Sequence, residues 1–516
     1  MTVAFNNMPG VLRVPLFYAE VNAGIPNFSG KSALILLGRK LASGAALPVR
    51  KPVQVGSADP NYIGGRGSML ADQLAFARAQ NPYGEIWVMD VGDPAGATAA
   101  TGGWTITGTA TAAGTLVRFI AGERYSVGVA VGDTAAIVAA NLVAAIGRGY
   151  TKFNRRMGAP VAAAVDGTTP GKVVLTANHV GTEGNGISLH MGLDGDELEV
   201  PGLTLTVAPM SGGAGDVDLA AVLAALGKLP FDWICGPYAS VAQLNISRDF
   251  LSDAAPGRWS PTVDLDGHYI TVVNGNLSAL TVLGGARNDR HASIVGVLNY
   301  PHPTWSIAAG VAGIVAFSKN LGRSLTEAIE LARPLQTLVV AGLRPPKDVN
   351  DRWGGDDFAA LYNTGISALQ INADGSVAIN RMLTTYQTNL YGSADDTFLS
   401  LNSIVLGAYL KRFMRLLITS TYPRHVLKDV NPNGQQGVVT ADQIRTTLIH
   451  GYTQLCNVAG IFEKPELFAQ YLIVERASDT SRVNAYLPAD MADEFIAFAA
   501  NITLFRELTA ANASLL

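Results

Sequence analysis

The chain has 516 residues, 15% of them charged and 48% hydrophobic, with a formal net charge of −4; at roughly 150 residues per domain, that is material for three or four domains. No clustered Lys/Arg footprint points to nucleic acid, Met1 to Arg13 lacks the basic-then-apolar pattern of a signal peptide, and the longest apolar stretch, Ser306 to Phe317, is shorter than the roughly 20 residues that cross a bilayer. Cys235 and Cys456 lie far apart in apolar contexts, so a disulfide framework is excluded and both are expected as buried free thiols.

In chain order, residues 1–25 are predicted to form an extended N-terminal arm. In Val11 to Tyr18 an extended backbone puts Leu12, Val14, Leu16 and Tyr18 on one face. Pro15 cannot donate to a ladder, which makes this an edge or added strand that needs a partner. Residues 26–95 begin an α/β domain. Ser32 to Gly38 reads as a buried strand, Ser68 caps a helix to about Gln80, and Glu85 to Val91 is the next strand. Residues 96–208 turn rich in Thr, Gly and Val, with short alternating runs (Trp104 to Thr109, Lys172 to Ala177) and one Ala-rich helix, about Thr134 to Ile146. They read as an inserted, mostly β domain.

The α/β rhythm resumes over 209–374. It comprises a helix from Val217 capped by Asp216, a strand at Phe231 to Cys235, a helix near Ala242 to Ser252, and strands at Tyr269 to Val273, Ala292 to Leu298, Leu335 to Ala341 and Ile366 to Ile371. Alternation of this kind implies a mainly parallel sheet covered on both faces. Residues 375–497 read as an α+β C-terminal domain. They hold a strand pair around Val377 to Gln387, helices near Thr397 to Ile418 and Thr440 to Cys456, and strands at Tyr471 to Glu475 and Arg482 to Leu487. An apolar C-terminal arm, 498–516, follows.

Chemistry-bearing patterns fail on their own terms. Gly167 to Lys172 is one residue short of a phosphate loop and leads into a strand. Gly212 to Asp216 lacks the strand that a dinucleotide fingerprint needs. The acidic run from Asp194 to Glu199 does not space its oxygens as an EF-hand does and reads as a solvated loop between strands. The seven histidines show no zinc spacing, His302 sitting in a Pro-flanked loop. Ser68 has no base and orienting acid in a triad order. No catalytic, metal or cofactor site is expected. Tyr62, Trp259 and Trp353 sit in polar, Gly-rich loops; packing is the default expectation for each and an interface anchor the alternative.

The segment Ile379-Asn-Arg-Met-Leu-Thr-Thr-Tyr-Gln387 resembles the "I-x-R-x-(I/L)-T-T-Y-Q" signature of contractile tail sheath proteins, and the similarity is greatest to the Mu-like phage sheaths. Asn363 to Ile366, Ala373 to Val377, Gly181 to Ile187, Gly213 to Asp232, Thr421 to His425 and Ile473 to Arg476 are similar to further elements of that family. The resemblance covers at least residues 180–490. It implies a subtilisin-like α/β part without protease activity, and an inner C-terminal domain against the tail tube. It also implies terminal arms that join neighbouring copies into a helical homo-oligomer. The inter-subunit contacts would fall on Leu12, Val14, Leu16 and Tyr18, with Ile502, Leu504 and Phe505 of the C-terminal arm. Lys411, Arg412 and Arg415, on adjacent turns of one helix, are candidate tube-facing residues. Other copies, a tail tube, baseplate and tail terminator proteins are the expected partners, with no nucleic acid and no membrane insertion, in a virion assembled in the host cytoplasm. The sheath of a phage-derived contractile bacteriocin is the alternative within this class, and a degenerate subtilisin-like hydrolase the alternative outside it.

Overall fold

The computed structural model describes residues 30–195, 197–478, 481–502 and 504. Leu12, Val14, Leu16, Tyr18 and Phe505 lie outside the described residues.

Five short apolar runs that are fully or nearly fully buried build the centre of the molecule. The main sheet has eight strands, β1 Ala33–Gly38, β2 Val53–Gln54, β3 Glu85–Asp90, β4 Trp233–Cys235, β5 His268–Asn274, β6 Ala292–Val297, β7 Ile366–Ile371 and β8 Val377–Arg381, in the order β8-β7-β6-β5-β4-β1-β3-β2. From β3 to β7 every pairing is parallel; only the edge strands β2 and β8 run antiparallel. Strands with no polar alternation, such as Ala33–Gly38 and Ala292–Val297, are buried at every position, as a parallel sheet covered on both faces requires.

One cover is made by helices α1 Met69–Gln80 and α2 Thr304–Ser318. Ser68 caps α1 as expected, its Oγ accepting from Ala71 N at 2.9 Å, and His179 Nε2 accepts from Met69 N at 3.1 Å. The apolar stretch Ser306 to Phe317 is this second helix. It is buried almost all round, which is why it carries no amphipathic signal. Close packing of the pair rests on Gly313, where an added Cβ would come within 2.8 Å of the Ala77 carbonyl.

Between β3 and β4 the chain forms two larger sheets and a short hairpin, Tyr150–Lys152 with Arg155–Met157. The first has four strands, ordered Leu203–Ser211, Ala99–Gly108, Lys172–Val180, Val161–Val165; the second has three, ordered Leu189–His190, Gly114–Ile120, Glu123–Val129. The Ala-rich helix Ala135–Arg148 buries Val138, Leu142 and Ile146 against them. Gly167 to Lys172 is a turn between two strands, as its sequence implies.

The last part carries α3 Leu401–Thr421 and α4 Ala441–Asn457, which pack on each other through Phe413, Leu417, Leu448 and Tyr452. A two-stranded hairpin, β9 Ile473–Arg476 with β10 Val483–Tyr486, lies against α4.

Five expectations need correction. Leu335 to Ala341 is not a strand: Thr337 adopts a left-handed backbone (φ 69°) and only Val339 bridges to Ala378. The strand pair placed around Val377 to Gln387 is a single strand, β8, which closes the edge of the main sheet; beyond Arg381 the chain turns to other bonds. The helix after Gly213 begins at Leu219 with Asp218 as its cap, whereas Asp216 accepts from Thr182 Oγ1 at 2.8 Å. Cys235 is buried but Cys456 is only half-buried, on a helix face that meets solvent. In the acidic run, Asp194 is not simply solvated: it binds Arg124 at 3.2 Å and also Arg344, and Glu199 holds the buried Arg118 at 2.6 Å.

Candidate functional site

The residues that carry the signature and the basic face of α3 converge near the amino ends of β4, β5 and β6. Asp232 immediately precedes β4, Asp264 and Asp266 lie in the loop into β5, and Asp289 to His291 lead into β6. Because the parallel strands all start on this edge, three sequence-distant loops are brought side by side.

Arg412 is the hub. Its Nε lies 2.6 Å from Asp266 Oδ2 and its Nη1 3.2 Å from Asp232 Oδ2, with Nη2 bonded to the same carboxylate. Burial would lower the Arg412 pKa, but the two carboxylates outweigh it and raise it above the ordinary guanidinium value. Lys411 binds Asp264 at 3.3 Å and also Asp266, and its ammonium sits 4.8 Å over the Trp259 ring. Arg415 binds Asp264. Asp232 and Asp266 are buried, so these pairs are anchored in the body of the molecule. Arg258 supports the loop from beneath, donating to the carbonyls of Asp266, Gly227 and Leu229 at 3.1, 3.2 and 2.8 Å. Trp259 stacks on His291 at 4.6 Å. His291 and Arg290 both contact Asp253, and despite the opposing effect of burial they hold that carboxyl well below the usual range.

The signature segment is a set of backbone clamps. Thr384 and Thr385 are buried; Thr384 Oγ1 donates to Phe398 O at 2.7 Å and Thr385 Oγ1 to Asp289 O at 3.0 Å. Tyr386 OH donates to Asp395 at 2.6 Å. Gln387 Nε2 donates to the carbonyls of Gly284 and Arg287 at 3.0 and 2.9 Å, while its own N–H reaches Asn288 Oδ1 at 2.8 Å. Thr-Thr-Tyr-Gln thus ties the chain leaving β8 to the loop entering β6. The segment Gly181 to Ile187 does similar work. Asn185 and Gly213 exchange two hydrogen bonds of 2.9 Å, and Glu183 pairs with the buried Arg39.

The structure therefore brings Lys411, Arg412 and Arg415 together, but around partners within the same chain. The partners Asp264 and Asp266 were not singled out from sequence; the alternation Asp-Leu-Asp ahead of an apolar run was the available signal. Ile502 and Leu504 are exposed (78% and 90%). Trp259 and Trp353 pack as expected, their indole N–H groups donating to Gly267 O and Gly296 O at 2.8 and 3.1 Å, but Tyr62 is exposed.

Ser68 does meet titratable groups, though not as a triad. A cavity of about 10 Å³ is lined by Ser68, Asp72, Glu123, Tyr150 and His302, room for about one water. Burial pushes the Asp72 carboxyl up and the His302 imidazole well down. Asp72 accepts from Trp305 Nε1 at 3.1 Å and from Ser306, and Ser68 is committed to its cap. His302 lies in its Pro-flanked loop as expected, and it is buried there.

No family model matches the sequence. Over 510 residues the chain is 33% identical to a tail sheath protein of the Mu-like prophage FluMu from Haemophilus influenzae, spanning 97% of this chain and 99% of that one. Solved structures similar to it include sheath tail proteins of Desulfitobacterium hafniense (14% identity, 93% and 97% of the two chains, TM-score 0.45) and Listeria innocua (15%, 92% and 93%, TM-score 0.45). A third is the helical sheath of the anti-feeding prophage in its contracted state (11%, 96% and 100%, TM-score 0.44). The identity sustained over both chains places this chain in a structural, assembling class of protein. Within it, the chain belongs to the tail sheath proteins of Mu-like phages.

Proposed function

We propose that this chain is the subunit of a contractile tail sheath: copies stack as a helical sleeve around a tail tube, and the sleeve shortens to drive the tube through the host envelope. The observation that carries this is the identity of 33% sustained over essentially the whole of both chains. Heterologous contacts that do not close generate such open helices. Each subunit moves nearly as a rigid body, with its arms as hinges, and the buried Asp232–Arg412–Asp266 bridge supports this by tying α3 to the main sheet. A few kcal/mol per subunit would then sum over many copies. Baseplate and terminator proteins would meet the ends of the sleeve, and assembly would take place in the host cytoplasm.

The α/β part, residues 26–95 and 209–374, is read as a subtilisin-like sheath domain without hydrolase activity. Its support is the closed, water-sized cavity beside Ser68, which has no room for a substrate. Residues 96–208 are the insert, and the inner domain is the part of 375–497 that follows β8, since β8 itself belongs to the main sheet. Lys411, Arg412 and Arg415 are retained as tube-facing candidates through the exposed parts of Lys411 and Arg415, since Arg412 is largely spent inside the molecule.

The arms are read as added strands. The hairpin β9–β10 pairs only with itself among the described residues, and Ile473 and Tyr486 on it are exposed. Val11 to Tyr18 of one neighbour, and the C-terminal arm around Ile502 to Phe505 of another, would extend it by β-augmentation. Burying Leu12, Val14, Leu16 and Tyr18 would contribute about 6 to 12 kcal/mol, against an ordering cost of roughly 1 to 2 kcal/mol per residue over some eight residues. A single arm binds weakly; a lattice of arms gains by effective concentration. Negative-stain microscopy of the purified protein tests the whole reading. Hollow sleeves formed without nucleotide are expected, and strictly monomeric behaviour at high concentration under several salt conditions would refute it.

A further inference from the structure

The loop after the signature ends in a hydrogen-bonded, uncharged tip. Leu390 and Tyr391 are 102% and 93% exposed, yet the turn that presents them is fully built. Asn389 Oδ1 accepts from Tyr391 N and Ser393 N at 3.0 and 3.1 Å, Asn389 N donates to Ser393 O at 2.9 Å, and Gly392 takes a positive φ of 77°. At its base Thr388 bridges to Ala394, and Asn288 grips Thr388 through both its carbonyl and its hydroxyl, at 2.8 and 2.9 Å. Residues 388–394 carry no charge. Two large apolar side chains are thus held out in water by a hydrogen-bonded turn, which lowers the backbone ordering cost of binding.

The same chain offers a receptor. A cleft of about 650 Å³ has the apolar residues Ile187, Met210 and Tyr300 in its walls together with Asn274, Asn299 and Lys347. Its position relative to the tip is the informative point. Asn288, which roots the tip, lies ahead of the amino end of β6, whereas Asn274 and Asn299 lie at the carboxyl ends of β5 and β6. Tip and cleft therefore sit at opposite ends of the same two parallel strands, about 20 Å long. A knob and a socket at opposite ends of one rigid body meet when copies are placed head to tail, which is the geometry of an open, heterologous stack. Of the other large clefts, the one beside Tyr83, Glu85 and Ile86 lies at the amino end of β3, on the same edge as the tip, whereas one of about 550 Å³ beside Leu369 and Ile371 lies at the carboxyl end of β7 and adjoins the receptor through Tyr300 and Asp351.

We propose that the Leu390–Tyr391 tip inserts into the cleft at the carboxyl ends of β5 and β6 of a second copy of this chain, making a longitudinal contact of the sheath separate from the arms. The proposal rests on the self-assembly of the chain and adds the surfaces used. Because both side chains are exposed, the double variant L390S/Y391S keeps the monomer's fold and thermal midpoint. Its threshold concentration for forming sleeves rises roughly tenfold or more, as expected when a contact loses its anchors, and the change persists at high salt because the tip is uncharged. In a C456S background, oxidising sleeves of Y391C/K347C gives a ladder of covalent multimers, while either single cysteine gives none beyond a dimer. Sleeves of L390S/Y391S at an unchanged threshold, or Y391C/K347C sleeves that yield no ladder, overturn the tip-in-cleft contact and leave self-assembly standing. A wild-type protein that never forms sleeves overturns both.

Discussion

Arg412 shows what a single residue decides in this molecule. With two buried carboxylates on one guanidinium, truncation leaves Asp232 and Asp266 without their shared counter-charge, and breaking a buried pair in this way costs about 3 to 5 kcal/mol. Arg412→Gln should lower the monomer's stability by that order in chemical denaturation. Arg415→Gln, at a side chain 46% exposed, should change it by no more than about 1 kcal/mol. Equal, negligible effects of both would contradict a stabilising role for the Arg412 bridge. His268 provides a pH-dependent counterpart. It is buried beside Ser293 Oγ (2.8 Å), and burial, with His291 adding to it, pushes its pKa down to about 3. Between that value and the ordinary 6.5 of a histidine, the unfolded chain binds a proton that the folded chain does not. Stability contributed here is present above 6.5 and is lost as pH falls through this window, by about 1.4 kcal/mol per pH unit. His268→Gln should remove that slope. Urea titrations of both proteins from pH 7 to pH 4 check it; parallel curves would contradict a neutral buried His268.

At the scale of elements, two glycines separate close packing from mere presence in a helix. Gly313 in α2 faces α1, where a Cβ would meet the Ala77 carbonyl at 2.8 Å and Gln80 Cβ at 3.0 Å. Gly313→Val must push the helices apart and should destabilise by about 1 to 3 kcal/mol, as overpacking does. Gly407 in α3 has no atom within 4 Å of its added Cβ, so Gly407→Ala should stabilise by about 0.5 to 1 kcal/mol by removing unfolded-state freedom. Thermal unfolding of the two variants should move in opposite directions. Both glycines lie inside helices and look alike in sequence; only the neighbouring chain tells them apart.

At the scale of the whole molecule, the body and the arms should separate. Deleting residues 1–20 removes Leu12, Val14, Leu16 and Tyr18 but none of the described core, so the monomer should keep its thermal midpoint and circular dichroism while sleeves disappear from electron micrographs. Sleeves of normal diameter from the truncated protein would sink the arm reading. The sequence by itself determined the buried strands, because uninterrupted apolar runs such as Ala33–Gly38 and Ala292–Val297 leave few alternatives, and it determined helix starts where Ser68 or Thr440 offers a capping oxygen. The "T-T-Y-Q" segment marked the family, though not its work, since Thr385 and Gln387 bond to a loop about a hundred residues back in the chain while Thr384 and Tyr386 bond to the loop that follows. Only the tertiary structure decided that β8 closes the main sheet, that Ser306 to Phe317 is a buried helix, and that Lys411, Arg412 and Arg415 face Asp264, Asp266 and Asp232. The reason is physical. Burial and capping are set by a residue and its near neighbours along the chain, whereas an ion pair or a sheet edge depends on which distant loops the parallel strands bring to the same end.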